Sequence, residues 1–339
     1  MAEDWRRSAA LLLRYIVKRL LWASVVLLLV SFFSFLVIQL PPGDFLDSYV
    51  ETLSRSGMGV DSAALASLRH AYGLDRSMIV QYWDWVSRFA RGDMGVSLLY
   101  ARKVNTIILE RLPWTLLITV SSMLVMYLIS IPVGVYSARR QYSLGDFAAS
   151  FIVFLGMATP GFLLALILMW LVFLAFGVSL GGLQSPQFMN QPWTWKAIKD
   201  LLWHLPVPIF VVAIAGMANL IRTMRGTLLD ELGKQYVTTA RAKGLEENRL
   251  IWRYPVRMAL NPIISSGGWL LAELFSGDTV VGIVLGLPTI GPVMYRALLA
   301  EDMYLAASCV MVMSILTVVG FLLSDIVLAF SDPRIRLSG

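Results

Sequence analysis

Six stretches of this chain stay apolar for about as long as a hydrocarbon core is thick, and no other property limits its fold as tightly. They run approximately over residues 20–40, 114–138, 148–176, 206–221, 263–287 and 304–331. A helix rises about 1.5 Å per residue, so roughly 20 apolar residues cross a core of about 30 Å. Inside lipid the backbone N–H and C=O groups have no water to bond, so each span is expected to be a helix. Composition agrees, because 58 % of the 339 residues are hydrophobic and 15 % are charged, against roughly 25 % charged in soluble domains. The expected fold class is therefore all-α, a polytopic membrane protein with six transmembrane helices. The first run exceeds the roughly 7–15 apolar residues of a cleaved signal peptide and ends in "IQLPPGD", so it is expected to stay as a span.

Basic residues set the threading. Arg6, Arg7, Arg14, Lys18 and Arg19 precede the first span, and Arg139 and Arg140 follow the second. Eight more lie between Arg222 and Arg257, and Arg334 and Arg336 end the chain. These seventeen of 28 basic residues fall on one side, which the positive-inside rule makes cytoplasmic. Both termini and the loop around Gly244 are thus expected inside, with Asp61 and Gln187 outside. The net charge of +6 reads as topology and attraction to anionic lipid. A nucleic-acid partner is not expected, because the cations flank spans and line no single face.

The chain divides into a basic amphipathic segment at 1–19, a first span at 20–40, an external insert at 41–112, and a membrane core at 113–339 with a cytoplasmic loop at 222–262. Within the insert, Ile79, Tyr82, Trp83, Val86 and Phe89 recur at helical spacing, with Asp75 as the expected N-cap and Gly92 as the stop. The helix is expected to pack on the outer ends of the spans. A second short helix is expected at "PWTWKAIKDLLWHLP", where Trp193, Trp195 and Trp203 beside Lys196 and Lys199 suit an interface.

Several chemistries are missing. The two histidines, His70 and His204, are far apart and read as interfacial residues, with no Cys or paired acid at ligand spacing. Cys309, the single cysteine, reads as a core residue. No GxxxxGK[ST] loop is present, so the chain is not expected to bind ATP by that route or to be an enzyme. The first four spans carry no central acid. Glu273 and Asp278 in the fifth run, near Gly277 and Gly282, are the candidates to line a water-filled path, the alternative being that they pair with protein groups. Asp325 is expected to pair with Arg334 or Arg336.

The cytoplasmic loop holds "YVTTARAKGLEENRL" at 236–250. Its pattern reads as two short helices at a turn. Ala240 and Ala242 favour helix, Lys243 suits a helix C-terminus, Gly244 suits a left-handed cap, and Glu246 and Glu247 complement the next N-terminus. The small residues Ala240, Ala242 and Gly244 also leave a face that another protein could approach closely.

"TTARAKG" with the following "NP" at Asn261 and Pro262 resembles the EAA loop of ATP-binding-cassette importer permeases, in the form typical of the oligopeptide/dipeptide permease family. The resemblance extends through "LLRYIVKRLL" at 12–21, "LPPGD" at 40–44, "YGLDRSMIVQYWDWV" at 72–86, "GDMGVSL" at 92–98, "ERLPWTL" at 110–116 and "DPRIR" at 332–336. It implies a type I importer permease fold that moves peptides or similar small solutes inward across the cytoplasmic membrane. It implies a second homologous permease, two ATP-binding subunits that hold ATP and Mg, and an extracytoplasmic solute-binding protein. Thr239, Ala240, Arg241, Ala242, Lys243, Gly244, Leu245 and Glu246 would couple the chain to the ATPase. Departures occur at Gly282, Leu285 and Thr289, where the family has Glu, Phe and Gly. Phe321 stands for the usual Asn, and Pro255 stands where a helix former is common. An ion-coupled transporter would show more polar residues at broken helices, and a membrane enzyme would show an intramembrane nucleophile or metal cluster.

Overall fold

A computed structural model describes residues 2–40, 45–47, 50, 62–71, 73–189 and 191–331. It is almost entirely helical. Among the described residues five helices are long and apolar enough to cross a membrane, and a sixth crossing is formed if one sharply bent helix pair is counted as a single span. The chain divides into two compact units, one of residues 1–17, 115–287 and 317–339, the other of residues 18–114 and 288–316.

In chain order, α1 covers Ala2–Ile38, α2 Ser62–Ala71 and α3 Met78–Ala90. Strands β1 (Val96–Ser97) and β2 (Arg102–Lys103) form a small antiparallel pair with Val96 opposite Lys103. Then come α4 (Val104–Arg139), α5 (Leu144–Ala158), α6 (Gly161–Phe176) and α7 (Trp195–His204). The longer α8 (Pro206–Leu232) leads into α9 (Gln235–Ala242), α10 (Glu247–Arg253) and α11 (Pro255–Ser265). Last are α12 (Gly267–Leu285), α13 (Ile290–Leu299) and α14 (Met303–Ser331).

In the larger unit α8 is the hub, packed by α6, α5, α11 and α12. Its inward side chains include Val211, Val212, Met217, Leu220, Met224 and Leu228, all buried. Lipid tails are as apolar as leucine, so such contacts depend on close fit more than on the hydrophobic effect. Gly216 meets that need, since a Cβ there would lie 2.5 Å from the Met126 sulfur. Gly268 on α12 does the same for Phe321 on α14, whose ring occupies the space a side chain would take. The departure at Phe321 is thus matched by a glycine opposite it.

The third apolar run is not one straight span. It starts four residues before 148 and breaks at Thr159 and Pro160, with α5 and α6 meeting at 108°. Proline lacks an N–H and pushes its predecessor out of the helical region, and Thr159 is extended at φ −90°, ψ 124°. The fifth run also changes: it breaks at Ser266, between α11 and α12, beyond the helical turn that carries Pro262. Pro255 is accommodated at the first turn of α11, the one helical place where its missing N–H costs nothing.

In the smaller unit α3 packs on the C-terminal part of α1. Tyr82 Oη lies 2.9 Å from Ser31 Oγ, and the Tyr82 ring meets Phe32 and Phe35 edge-on at 5.5 Å. Trp85 stacks on Phe35 and donates to Ser308 Oγ at 3.3 Å. Cys309 is buried beside it, as expected for a core residue. Two details correct the reading of the insert. The N-cap is Ser77, and Asp75 instead sits 2.7 Å from His70 Nδ1, an interaction that holds its carboxyl below the usual carboxylate range. The buried face is Gln81, Tyr82 and Trp85, while Ile79 and Trp83 are 69 % and 64 % exposed. The Gln39 amide bonds Gln81 at 3.0 Å, which rotates α3 away from its most apolar stripe.

At α7, Thr194 caps the helix by accepting from the Ala197 N–H, and Trp193, Trp195 and Trp203 are exposed. His204, expected at the interface, is instead fully buried, with Nδ1 2.7 Å from the Asp200 carbonyl oxygen. Asp61, Arg334 and Arg336, the tail motif at 332–336 and the "PPGD" segment at 41–44 lie outside the described residues.

Candidate coupling site and translocation path

The α9–α10 turn is built by local rules. Lys243 closes α9 at φ −78°, ψ 5°, and Gly244 follows at φ +76°, a left-handed conformation that costs glycine least. The Gly244 N–H donates to the Arg241 carbonyl and the Leu245 N–H to the Ala240 carbonyl, at 3.0 and 3.4 Å. These are the paired bonds of a Schellman cap. Across the turn the Arg241 guanidinium donates to Glu247 at 2.6 and 3.0 Å. That pair holds the Glu247 carboxyl below the usual carboxylate range.

The inner side of this hairpin is core. Val237, Leu250 and Ile251 are buried, and α11 below them lays Val256, Ala259 and Ile263 against α8. Thr227 Oγ1 on α8 donates to the Ala259 carbonyl at 3.3 Å. The base is also tied to the ends of α4 and α5. Arg139 donates to Asn248 Oδ1 at 2.8 Å, and Arg225 pairs with the buried Asp146 at 3.3 Å. Before α9, Glu231 accepts from Lys234 at 2.5 Å and from the Tyr236 hydroxyl at 2.6 Å. Burial and the Glu231 carboxylate push the Tyr236 phenol above its ordinary range.

Of the eight residues expected to couple, Thr239, Arg241, Ala242, Lys243, Gly244 and Glu246 are exposed and Leu245 is half-buried. Ala240 is not on that surface. It is 8 % exposed and faces the core, so the small-residue face reduces to Ala242 and Gly244. A helix of about 3.6 residues per turn separates positions 240 and 242 by roughly 200°, which already places them on opposite sides. The anchors Asp146 and Arg225 were missed, although "SLGD" at 143–146 carries a readable signal: Ser143 caps α5 by accepting from the Asp146 N–H at 3.2 Å.

Glu273 lies half-buried on α12, and its Oε2 is buried without a hydrogen-bond partner among the described residues. Asp278 is on the same helix, but its side chain lies outside what the structure describes. Five residues separate them, about 140° around a helix.

Comparison with known proteins fits this architecture. The family model described as binding-protein-dependent transport system inner membrane component matches residues 130–337, and the model of the N-terminal part of such components matches 12–119. The chain belongs to this family. The permease is 33 % identical over 324 residues to the oligopeptide transport system permease protein AppB of Bacillus subtilis (strain 168), covering 95 % of this chain and 99 % of the relative. It is 28 % identical over 363 residues to the inner membrane ABC transporter permease protein YejB of Escherichia coli O157:H7, covering 96 % and 99 %. Among solved structures it resembles a chain of the inward-facing MetNI methionine ABC transporter with a TM-score of 0.52 at 16 % identity, over 67 % of the permease and 96 % of that chain. The fold is that of a type I importer permease, and the protein is a multi-pass membrane subunit of an ATP-binding-cassette importer.

Proposed function

We propose that the permease forms one half of a pore that imports peptides or similar small solutes across the cytoplasmic membrane, with a second homologous permease as the other half. Two ATP-binding subunits, which hold ATP and Mg, dock on the α9–α10 turn, and an extracytoplasmic solute-binding protein delivers the cargo. Both termini are cytoplasmic in this reading. The peptide assignment rests on relatives named as oligopeptide and peptide permeases.

The observation that carries the coupling role is the division of one short hairpin into a core face and an exposed face. Val237, Ala240, Leu250 and Ile251 are buried where α10 packs on α11, while Arg241 to Gly244 remain uncovered. A rigid hairpin of this kind transmits the displacement of a docked ATPase to the spans behind it, biasing a pore between two discrete states. Glu273 supplies an acid within a span, where an ionisable group usually marks a solute pathway or a pairing. It would favour amine-bearing cargo.

The test is purification of the permease from its native membrane, followed by ATP-driven peptide uptake in vesicles. Co-purification of two ATPases and a related permease, with uptake that stops when ATP is withheld, is the expected result. Uptake driven by a proton or sodium gradient without ATP would overturn the proposal.

A further inference from the structure

The smaller unit contains a cleft of about 430 Å³, within the roughly 300–1,000 Å³ typical of small-molecule sites. Its lining is charged: Arg76, Arg88 and Lys103 stand with Asp84 and Asp93, and Tyr304 contributes from α14. By the proposed topology it opens outside the membrane. None of the coupling or path residues belongs to it.

The charges do not cancel locally. Arg76 is held by Asp84 at 2.6 Å, and Asp93 Oδ1 accepts from the Gly95 N–H at 3.0 Å. Arg88 and Lys103 have no ion-pair partner among the described residues, so two cations face one cavity with one loosely engaged acid beside them. The walls are fixed in advance. The buried Asp302 accepts from Ser97 Oγ at 2.6 Å and from the Leu99 N–H at 3.0 Å, which holds the β1–β2 turn at the start of α14. Asn105 spans the other edge, donating to the Gly92 carbonyl at 2.6 Å and accepting from the Met94 N–H at 3.0 Å. Gly95, at φ +83°, lies flat against the Tyr304 ring, where an added Cβ would come within 3.1 Å.

Cations that line a cavity can take a carboxylate by charge-assisted hydrogen bonds, and an acid on the same cavity can receive an ammonium group. We propose that this cleft is an external binding site for a short zwitterionic peptide, with Arg88 and Lys103 taking its free carboxylate and Asp93 facing its amine. The inference rests on the peptide reading of the permease and adds a site apart from the path through the spans.

The test uses the full permease in nanodiscs of zwitterionic lipid, with isotope-labelled trialanine and trialanine amide as probes and binding read by saturation-transfer NMR. The free acid binds about tenfold or more tightly than the amide, the scale of one lost charge-assisted hydrogen bond. Arg88→Gln with Lys103→Gln abolishes that preference, while thermal unfolding stays as in the wild type. Equal binding of acid and amide, or a preference unchanged in the double variant, overturns the site. Displacement of trialanine by equimolar inorganic phosphate or glycerophosphate also overturns it, because the cleft would then be an anion or lipid-headgroup site. Uptake of the same peptide by the wild-type complex is measured in parallel. Absence of uptake with the acid preference intact defeats the import reading and leaves the cleft standing.

Discussion

The α9–α10 hairpin and the α3 helix of the insert are both short helical elements with mixed polarity, yet they are organised by different information. The hairpin is closed by its own residues: Gly244 at φ +76°, the cap bonds from Gly244 and Leu245, and the Arg241–Glu247 pair all lie within the eight positions 240–247. The orientation of α3 comes from distant partners, namely Gln39, Ser31 and Phe35 on α1 and Ser308 on α14. An element fixed locally can present a surface to a partner without being remodelled, whereas one fixed by tertiary contacts follows the helices it rests on. Local closure suits a lever, and tertiary seating suits an element that follows α1 and α14.

Substitutions can sharpen this contrast. Trp85→Ala should be the most damaging, at about 3–5 kcal/mol for a buried aromatic, because Trp85 is 1 % exposed and joins α1 to α14. Trp83→Ala, two residues earlier, should stay within about 0.5 kcal/mol in detergent. Thermal unfolding of both in one detergent measures the difference, and similar shifts would show that α3 is seated on its apolar stripe after all.

Ala240→Asp should cost about 3 kcal/mol, the lower end for an uncompensated buried charge, since Ala240 retains little exposure. Ala242→Asp should leave unfolding unchanged and reduce ATPase co-purification. If Ala240→Asp unfolds as the wild type does, the core face of the hairpin is misassigned.

The smallest effect concerns pH. Glu247 has a folded-state pKa below its ordinary value of 4.5, so its stabilisation is present above that value and is lost as pH falls through the lowered one. Both partners are about half exposed, so Glu247→Gln should cost no more than about 1 kcal/mol at neutral pH. Unfolding of variant and wild type compared from pH 7 downward should converge only in the acid limb. Convergence already between pH 7 and 5 would mean that another group supplies the effect.

The same contrast explains what could be read from the sequence. Gly244 and Lys243 announce themselves because caps depend on near neighbours. The apolar runs announce their spans, but run length alone overrode Pro160, although a proline after Thr159 is itself a break signal. The seating of α3 was not legible, since Ile79 and Trp83 satisfy helical periodicity as well as Tyr82 and Trp85 do, and only contact with α1 decides between the faces. Ala240 was grouped with Ala242 on size, where helical phase already separates them.

The central claim is that the exposed turn at Gly244 links ATP hydrolysis to movement of the pore. A Cβ added at Gly244 would meet nothing within 4 Å beyond its chain neighbours, so Gly244→Val acts chiefly on backbone conformation and the docking surface. The left-handed backbone would cost roughly 1–3 kcal/mol. The direct measurement is ATP hydrolysis and peptide uptake in the same proteoliposomes containing the complete complex. The account predicts that Gly244→Val inserts normally but either loses its ATPases or hydrolyses ATP without uptake. Wild-type uptake per ATP hydrolysed would contradict it.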